Sequence, residues 1–265
     1  MKRILFSASG IICVFMCQAQ LKQGKIIYER TAQMRMMIAD NDTGEQSKVQ
    51  TRTDKFELTF GNNQSLWKQA EKETEDEPAG DNGGVQIRMV VAGSDDILYT
   101  NIPALKRTEL RVFFDKKFIV DDSITPLKWK VTEDTKTILG HLCRKATTTT
   151  ITPRMSMNIN NGMMERKEVQ DTAVVTAWFT NDIPVAVGPA EYQGQLPGLI
   201  LAIDINNGRQ VFKAIEISDK ADIASIKAPA GKKHYSPLEF RKERDKMMDE
   251  MQQNNHSGNQ RIRMN

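Results

Sequence analysis

The chain has 265 residues, a formal net charge of +3 and three cysteines. Its length is sufficient for one large domain or two small ones. The charge is too near balance to support nucleic-acid binding by electrostatics, so no nucleic-acid partner is expected.

The first 19 residues have the three parts of a secretory signal peptide. A basic pair at positions 2 and 3 precedes an uncharged run that ends at Cys17, and we expect cleavage after Ala19. The bulky residues 14–16 disfavour the alternative, lipidation of Cys17. The run is shorter than the roughly 20 residues of a membrane span, and no later run is longer. We therefore expect an exported protein, periplasmic or associated with the outer membrane, with no transmembrane segment after removal of residues 1–19.

Removal of this leader leaves one cysteine and a formal charge of +1, because it takes away two basic residues. The mature chain then has no intramolecular disulfide, although exported proteins often use them. Cys143 lies in an alternating stretch with no activating group nearby. A buried structural thiol is therefore favoured over a reactive one.

Two-residue periodicity predicts a mostly β protein with an antiparallel sheet over residues 20–235, as a curled half-barrel or a sandwich. Apolar and polar residues alternate over the length of an ordinary strand in several segments. The clearest are 24–31, 56–60, 85–92, 109–114, 144–151 and 210–218. The stretch 71–84 is acidic and then rich in glycine, which is typical of a solvated loop.

One hairpin is predicted in detail, because Asn161-Gly162 is the dipeptide that a two-residue type I′ turn requires. In that register Ile159 faces Met164, and Met155, Met157 and Met164 share one face. Thioether sulfur is a soft ligand that selects Cu(I). The three methionines are therefore a candidate copper site, and adaptable apolar packing is the alternative. No other cofactor is predicted.

The end of the chain changes character. Ser236 to Glu239 forms a capping box with proline at the first helical position. Phe240 and three later methionines then recur at helical spacing. We predict a helix over 236–253 and a disordered tail over 254–265.

Several separated motifs between Trp129 and Ile217 occur together. Among them are Ile138-Leu139-Gly140-His141, Asp182-Ile183-Pro184, Gly188-Pro189 and Leu196-Pro197-Gly198-Leu199-Ile200. In these motifs the chain resembles the GLPGLI family, exported proteins known chiefly from Bacteroidetes. The resemblance implies export and a β-rich fold, and it implies no catalytic residue. One departure is that Gln195 separates Gly194 from the leucine that should follow it directly.

The Leu-Pro-Gly motif has a structural explanation. Pro197 fixes φ at the second position of a turn, and Gly198 is expected to supply a positive φ at the third. The following strand is expected to alternate strictly, with Leu199 and Leu201 on one face and Ile200 on the other. The competing interpretation is a loop that lines a pocket. Its candidate lining residues are Trp178, Tyr192, Leu196, Pro197, Gly198, Leu199 and Ile200.

The sequence favours a non-catalytic role. No two histidines have the spacing of metal ligands, and no nucleophile and base can be paired by a local motif. We expect a binding or adaptor module whose partner is an apolar ligand or an outer-membrane protein. Two alternatives stay open. One is a methionine-rich copper-binding protein, and the other is a lipid carrier whose half-barrel is covered on its inner face by the C-terminal helix.

Overall fold

A computed structural model describes most of the chain after the predicted leader. Three predictions lie outside its described residues: the leader itself, the strand over 85–92 and the Asn161-Gly162 turn. The acidic loop 71–84 is described only at Glu71. The described ranges are 21–40, 44–71, 96–160 and 163–261.

Within these ranges the chain forms twelve strands and one α-helix, α1. The predicted strand 210–218 is present with those bounds, and most others are longer than predicted because hairpin partners extend them. Short 3-10 helices cover Ala190–Tyr192 and Ile223–Ser225. The elements are β1 (Gly24–Asp40), β2 (Gly44–Gly61), β3 (Gln64–Gln69), β4 (Ile97–Asn101), β5 (Lys106–Phe113), β6 (Lys116–Ser123), β7 (Lys130–Ile138), β8 (His141–Asn160), β9 (Met163–Thr180), β10 (Leu199–Ile205), β11 (Gln210–Ser218), β12 (His234–Tyr235) and α1 (Pro237–Arg261).

All of these strands belong to one sheet, in the order β12-β6-β5-β4-β3-β2-β1-β11-β10-β9-β8-β7. Neighbours are antiparallel, except that β12 runs parallel to β6. Near the middle, β1 lies between β2 and β11, so its two neighbours come from distant parts of the chain. The prediction of a mostly β, antiparallel fold with a C-terminal helix is confirmed.

The connection from β6 to β7 requires the sheet to curl. These strands are second and last in the order, so ten strand spacings would separate them by about 48 Å in a flat sheet. Only residues 124–129 join them, and an extended chain of that length reaches roughly 25 Å. Trp67 of β3 and Phe212 of β11, three strands apart, also bring their ring centroids within 6.0 Å. The sheet therefore has an inner and an outer face, as in the half-barrel alternative.

The inner face carries the main hydrophobic core. Alternate residues of the central strands are buried there, and each large apolar side chain contributes about 1.5–3 kcal/mol by leaving water. A loop, residues 181–198, lies over this face and hydrogen-bonds to β10 through Leu199 N to Ile183 O, at 3.1 Å. The most deeply buried side chains include Tyr28, Leu58, Phe60, Phe179, Leu199 and Ile203.

The C-terminal helix covers the inner face only at one end of the sheet, and not over the central strands as the lipid-carrier alternative expects. Helix α1 packs on β6 and β12, at one end of the sheet. Its Phe240 joins Phe118 and Val120 in a small separate cluster, with Met247 at the edge. An apolar stripe this short cannot cover the central strands, so the inner face is closed by the loop 181–198 instead.

The start of α1 is as predicted, and its end is not. Ser236 N donates to Glu239 Oε2 at 2.7 Å and Glu239 N donates to Ser236 Oγ at 3.3 Å, which confirms the capping box. The helix continues to Arg261, so the part of the predicted disordered tail up to that residue is helical. Asparagine and glutamine cost a helix only tenths of a kcal/mol each, and no proline interrupts it. No described helix is both long and apolar enough to span a membrane.

Strand β10 also departs from the predicted alternation. Its pairing with β9 shifts between Ile200 and Ala202, so that Leu201 has no partner. Ile200 pairs with Phe179 and Ile203 pairs with Ala177, both on the inner face. A β-bulge places two residues of one strand against one of its partner and breaks the period of two. Ile200 and Ile203 therefore share a face, contrary to the prediction.

Candidate functional site

The Leu-Pro-Gly motif lies within the core. Leu196, Gly198, Leu199 and Ile200 are buried, and Pro197 is exposed. The predicted positive φ at Gly198 is wrong, since in this loop that conformation occurs at Ala190, at +49°, and at Gly194, at +73°. Gly198 is required for another reason: a Cβ on it would lie 2.0 Å from the Thr180 carbonyl oxygen. The glycine allows the loop to pass directly against the end of β9.

A buried hydrogen bond joins this motif to β1, two strands away in the sheet. The Tyr28 hydroxyl of β1 donates to the Ile200 carbonyl oxygen at 2.6 Å, and both residues are fully enclosed. Burial raises the pKa of Tyr28 far above its ordinary value, so the phenol stays protonated and remains a donor. The bond satisfies the Ile200 carbonyl in an apolar setting, where an unpaired one would be costly.

Gln195, the departure from the GLPGLI pattern, has a definite role. Its side-chain nitrogen donates to Thr125 O at 3.1 Å, and its side-chain oxygen accepts from Leu127 N at 2.9 Å. Both partners lie in the connection 124–129 that joins β6 to β7. Nearby, Gln193 hydrogen-bonds to Ser65 of β3. The two glutamines therefore fix the loop to the segments that close the curl.

The pocket predicted between Trp178 and Tyr192 is not formed by these two residues. Trp178 pairs with Ala202 on the outer face of the sheet, and Lys136 Nζ lies 4.2 Å from its ring centroid. Tyr192 belongs to the loop on the inner face, where its ring meets Trp129 edge-on at 6.3 Å. Both are packing residues, and the sheet separates them.

Cys143 is the structural thiol that the sequence predicts. It is fully buried, and its Sγ donates to the His141 carbonyl oxygen at 3.6 Å. Burial raises the pKa of the thiol to about 11, although Lys136 acts in the opposite direction. His141 Nδ1 instead contacts Asp182 Oδ2 at 3.3 Å. This geometry does not present a thiolate to a substrate.

Charged residues from β5 form a second polar group, on the inner face. Arg107 pairs with Asp122 of β6, and Arg111 pairs with Glu109. Glu191 of the covering loop lies near them. Each of the two arginines is paired with a carboxylate of β5 or β6, and these ion pairs order this end of the inner face.

The predicted methionine hairpin is confirmed in its register only. Asn160 pairs with Met163 and Ile159 pairs with Met164. The side chains of Met155, Met157 and Met164 lie outside the described residues, so the copper site stays a prediction. In the described part of the chain, no cluster of three or more His, Cys, Asp or Glu residues has the geometry of a metal site.

The outer face of β3 to β6 carries a groove of about 560 Å³. Each strand contributes one apolar residue to its floor: Leu66, Ile97, Leu110 and Ile119. The register explains the arrangement, since Ile97 pairs with Leu110 and Leu110 with Ile119. The alternate residues on the same strands, such as Leu98, serve the inner core. On β3 and β4 the sheet is therefore apolar on both faces, and the volume of the groove lies within the range of about 300–1,000 Å³ for small-molecule sites.

A segment between β11 and α1, residues 225–235, forms one wall of the groove and is called the strap here. Gly231 passes so close to the floor that a Cβ would lie 2.7 Å from Ile119 Cγ1. At the end of the strap, His234 Nδ1 contacts Asp121 Oδ2 of β6 at 2.6 Å. Partial desolvation raises the pKa of Asp121, but hydrogen bonds from Thr108 and His234 outweigh it and hold that pKa below its ordinary value. The strap is thus fixed to β6 at its C-terminal end.

The rim of the groove is basic. Three of its lysines are on the strap, and the fourth is on β6. No aspartate or glutamate of the described chain lines the groove. Lys233 Nζ lies 4.3 Å from the Tyr235 ring centroid, a cation–π contact that holds one ammonium group beside the rim. The rim lysines are Lys117, Lys227, Lys232 and Lys233.

The sequence does not predict this groove, and none of the seven pocket candidates lines it. One signal was present in the stretch Lys227 to Lys233, where three lysines flank the run Ala-Pro-Ala-Gly between a strand and a helix. Nothing in the sequence, however, places that stretch over the outer side of strands more than 100 residues earlier.

Comparison with known proteins gives a family match without an assigned function. A family model described as "Protein of unknown function (Porph_ging)" matches residues 129–202, the region that also carries most of the GLPGLI resemblance. No curated protein matches. The matched region includes the Leu-Pro-Gly motif and excludes both the groove floor and the strap.

Two solved structures of PNGF-II have limited similarity to this chain. The form in space group P21 has 16% identity and a TM-score of 0.49, over 83% of this chain and 32% of that chain. The form in space group C2 has 18% identity and a TM-score of 0.46, over 82% and 32%. The chain thus spans about a third of the PNGF-II chain, and a likeness at this level carries no functional argument.

Proposed function

We propose that this protein is an exported, non-catalytic binding module whose ligand lies in the outer-face groove. The observation that carries the proposal is the groove itself, an apolar floor from four adjacent strands beneath a fixed strap. Concave sites with an apolar lining and a few polar groups are typical of small-molecule binding. Export is supported by the pattern of the first 19 residues.

The inner face is a poorer candidate for the ligand. Its apolar residues already pack against one another and against the loop 181–198, with Tyr28, Ile200 and Ile203 buried. A carrier that uses the inner face would have to displace this loop and break the hydrogen bond from Tyr28 to Ile200. The outer groove needs no such rearrangement, so the proposal places the ligand there.

The test uses N-phenyl-1-naphthylamine, a neutral fluorescent probe, with the mature protein. We expect saturable enhancement of its emission, with an affinity at least about tenfold weaker in Leu110→Gln. An amide among apolar contacts costs about 1–3 kcal/mol, and 1.4 kcal/mol is tenfold. Leu142→Gln is the matched control, because Leu142 is 59% exposed and lies outside the groove.

Both variants must first show the melting temperature of a folded chain. Native mass spectrometry of the protein taken from the cell envelope then reports any co-purifying small molecule. The proposal fails if the wild-type protein does not bind the probe, or if Leu110→Gln binds it as well as Leu142→Gln does. Co-purification of a membrane protein with an empty groove would favour the adaptor hypothesis instead.

A further inference from the structure

We infer that the groove selects a single-chain anionic amphiphile, with its chain on the floor and its head group among the rim lysines. This inference rests on the proposed function, and it adds the chemical class of the ligand. The basic rim and a negative head group have complementary charges, and this complementarity supports the inference.

The rim departs strongly from the charge balance of the chain. Over the whole sequence, 37 basic residues are offset by 34 acidic ones. Around the groove, four lysines line the rim and the described lining contains no acidic side chain. In the described part of the chain none of the four makes an ion pair, whereas Lys145, for example, contacts Asp134 at 3.0 Å. A bound anion would supply the opposite charge.

The floor requires the rest of the ligand to be apolar. Leu66 and Ile97 are half-buried on a sheet face where one would expect polar residues, because the opposite face of β3 and β4 already serves the core through Trp67 and Leu98. An antiparallel sheet with one solvated face usually alternates polar and apolar residues. An alkyl chain lying on these side chains would remove them from water. The volume of about 560 Å³ suits one molecule of drug size.

The strap fixes the distance between floor and rim. Gly231 meets Ile119 directly, and Lys232 and Lys233 follow it immediately. Ammonium groups are therefore held at the edge of the apolar floor. A carboxylate bonded to one end of an alkyl chain matches this arrangement, whereas a cation would meet like charges. A neutral head group would gain nothing from the four lysines.

The experiment displaces N-phenyl-1-naphthylamine with three ligands of equal chain length: decanoate, decanol and decyltrimethylammonium. All are kept below the concentration at which light scattering detects aggregates. At 20 mM salt we expect decanoate to displace the probe at about one tenth of the concentration that decanol requires, and the cation to be weakest. In 1 M salt, where the screening length falls to about 3 Å, this preference should largely disappear.

The key variant is Lys117→Gln combined with Lys232→Gln, with Lys116→Gln combined with Lys246→Gln as control. Lys116 is the neighbour of Lys117 on the opposite face of β6, and Lys246 is an exposed helix residue, so the total charge changes equally. We expect at least a threefold loss for decanoate in the first variant only, with decanol unchanged in both.

Equal displacement by decanol and decanoate would overturn this inference and leave the proposed groove function intact. If no ligand displaces the probe because the probe itself does not bind, the proposed function fails as well. Binding to vesicles of anionic lipid, without displacement by decanoate, would also overturn the inference, in favour of docking on a membrane surface.

Discussion

Gly198→Ala is the sharpest test of how the Leu-Pro-Gly motif works. The motif can be read as a turn that needs glycine for a positive φ, or as a close contact that leaves no room for a side chain. The structure favours the second reading, because Gly198 has no positive φ and its Cβ position lies 2.0 Å from Thr180 O and 2.8 Å from Thr180 C.

The expected loss of stability depends on which atoms the added Cβ would contact. Both belong to the backbone at the end of β9, which is paired with β10 and cannot rotate away as a side chain can. Overpacking typically costs about 1–3 kcal/mol, and a rigid contact this short belongs at the upper end, at about 3 kcal/mol. For a domain of this size each kcal/mol lowers the melting temperature by about 2–4 °C. We therefore expect a decrease of about 6–12 °C.

Gly140→Ala is the matched control. Gly140 has φ +82°, and no atom lies within 4 Å of its Cβ position, so alanine there tests conformation without contact. Left-handed backbone costs an alanine about 1 kcal/mol, or about 2–4 °C. Thermal unfolding of the mature chain by circular dichroism measures both. Equal losses in the two variants would show that the close approach of Gly198 to Thr180 is not what the motif requires.

Three further outcomes are expected. Tyr28→Phe leaves the buried Ile200 carbonyl without its donor, and urea unfolding should show a loss of about 1–2 kcal/mol; an unchanged midpoint would mean that the bond contributes nothing. The lowered pKa of Asp121 means that its carboxylate stabilises the strap at neutral pH and loses this effect as the pH falls below about 4. Amide protection over 225–235, taken relative to the intrinsic exchange rate at each pH, should therefore fall on acidification, and Asp121→Asn should show that lower protection already at pH 7. Cys143, with its pKa raised to about 11, should resist iodoacetamide at pH 8 until urea unfolds the chain; rapid labelling of the folded form would contradict its burial.

The features that the sequence predicts correctly depend on interactions between residues close together in the chain. The strand over 210–218 follows from alternation alone, and the capping box at Ser236 needs only residues within one turn of helix. The register of the hairpin around Ile159 and Met164 follows from the turn dipeptide between its strands. Each of these depends on neighbours in the chain, which a sequence states directly.

The predictions that are wrong concern features that depend on residues distant in the sequence. The role of Gly198 depends on Thr180, and the bulge at Leu201 depends on pairing with β9. Neither partner can be known before the strands are assembled. The groove is the extreme case, since Leu66, Ile119 and Lys232 belong to three separate elements that only the curl and the strap bring together. The lysines are visible in the sequence, but only the assembled fold shows that they surround an apolar groove floor.

The position of β1 has a consequence for the order in which this chain folds. Its first partner, β2, follows at once, but its second, β11, is among the last strands to be made, with Lys25 opposite Ser218. Pairings between such distant residues form slowly. Until the final fifth of the polypeptide emerges, the sheet remains in two unjoined parts. Such delayed closure is compatible with the proposed export, which requires a chain that is still unfolded.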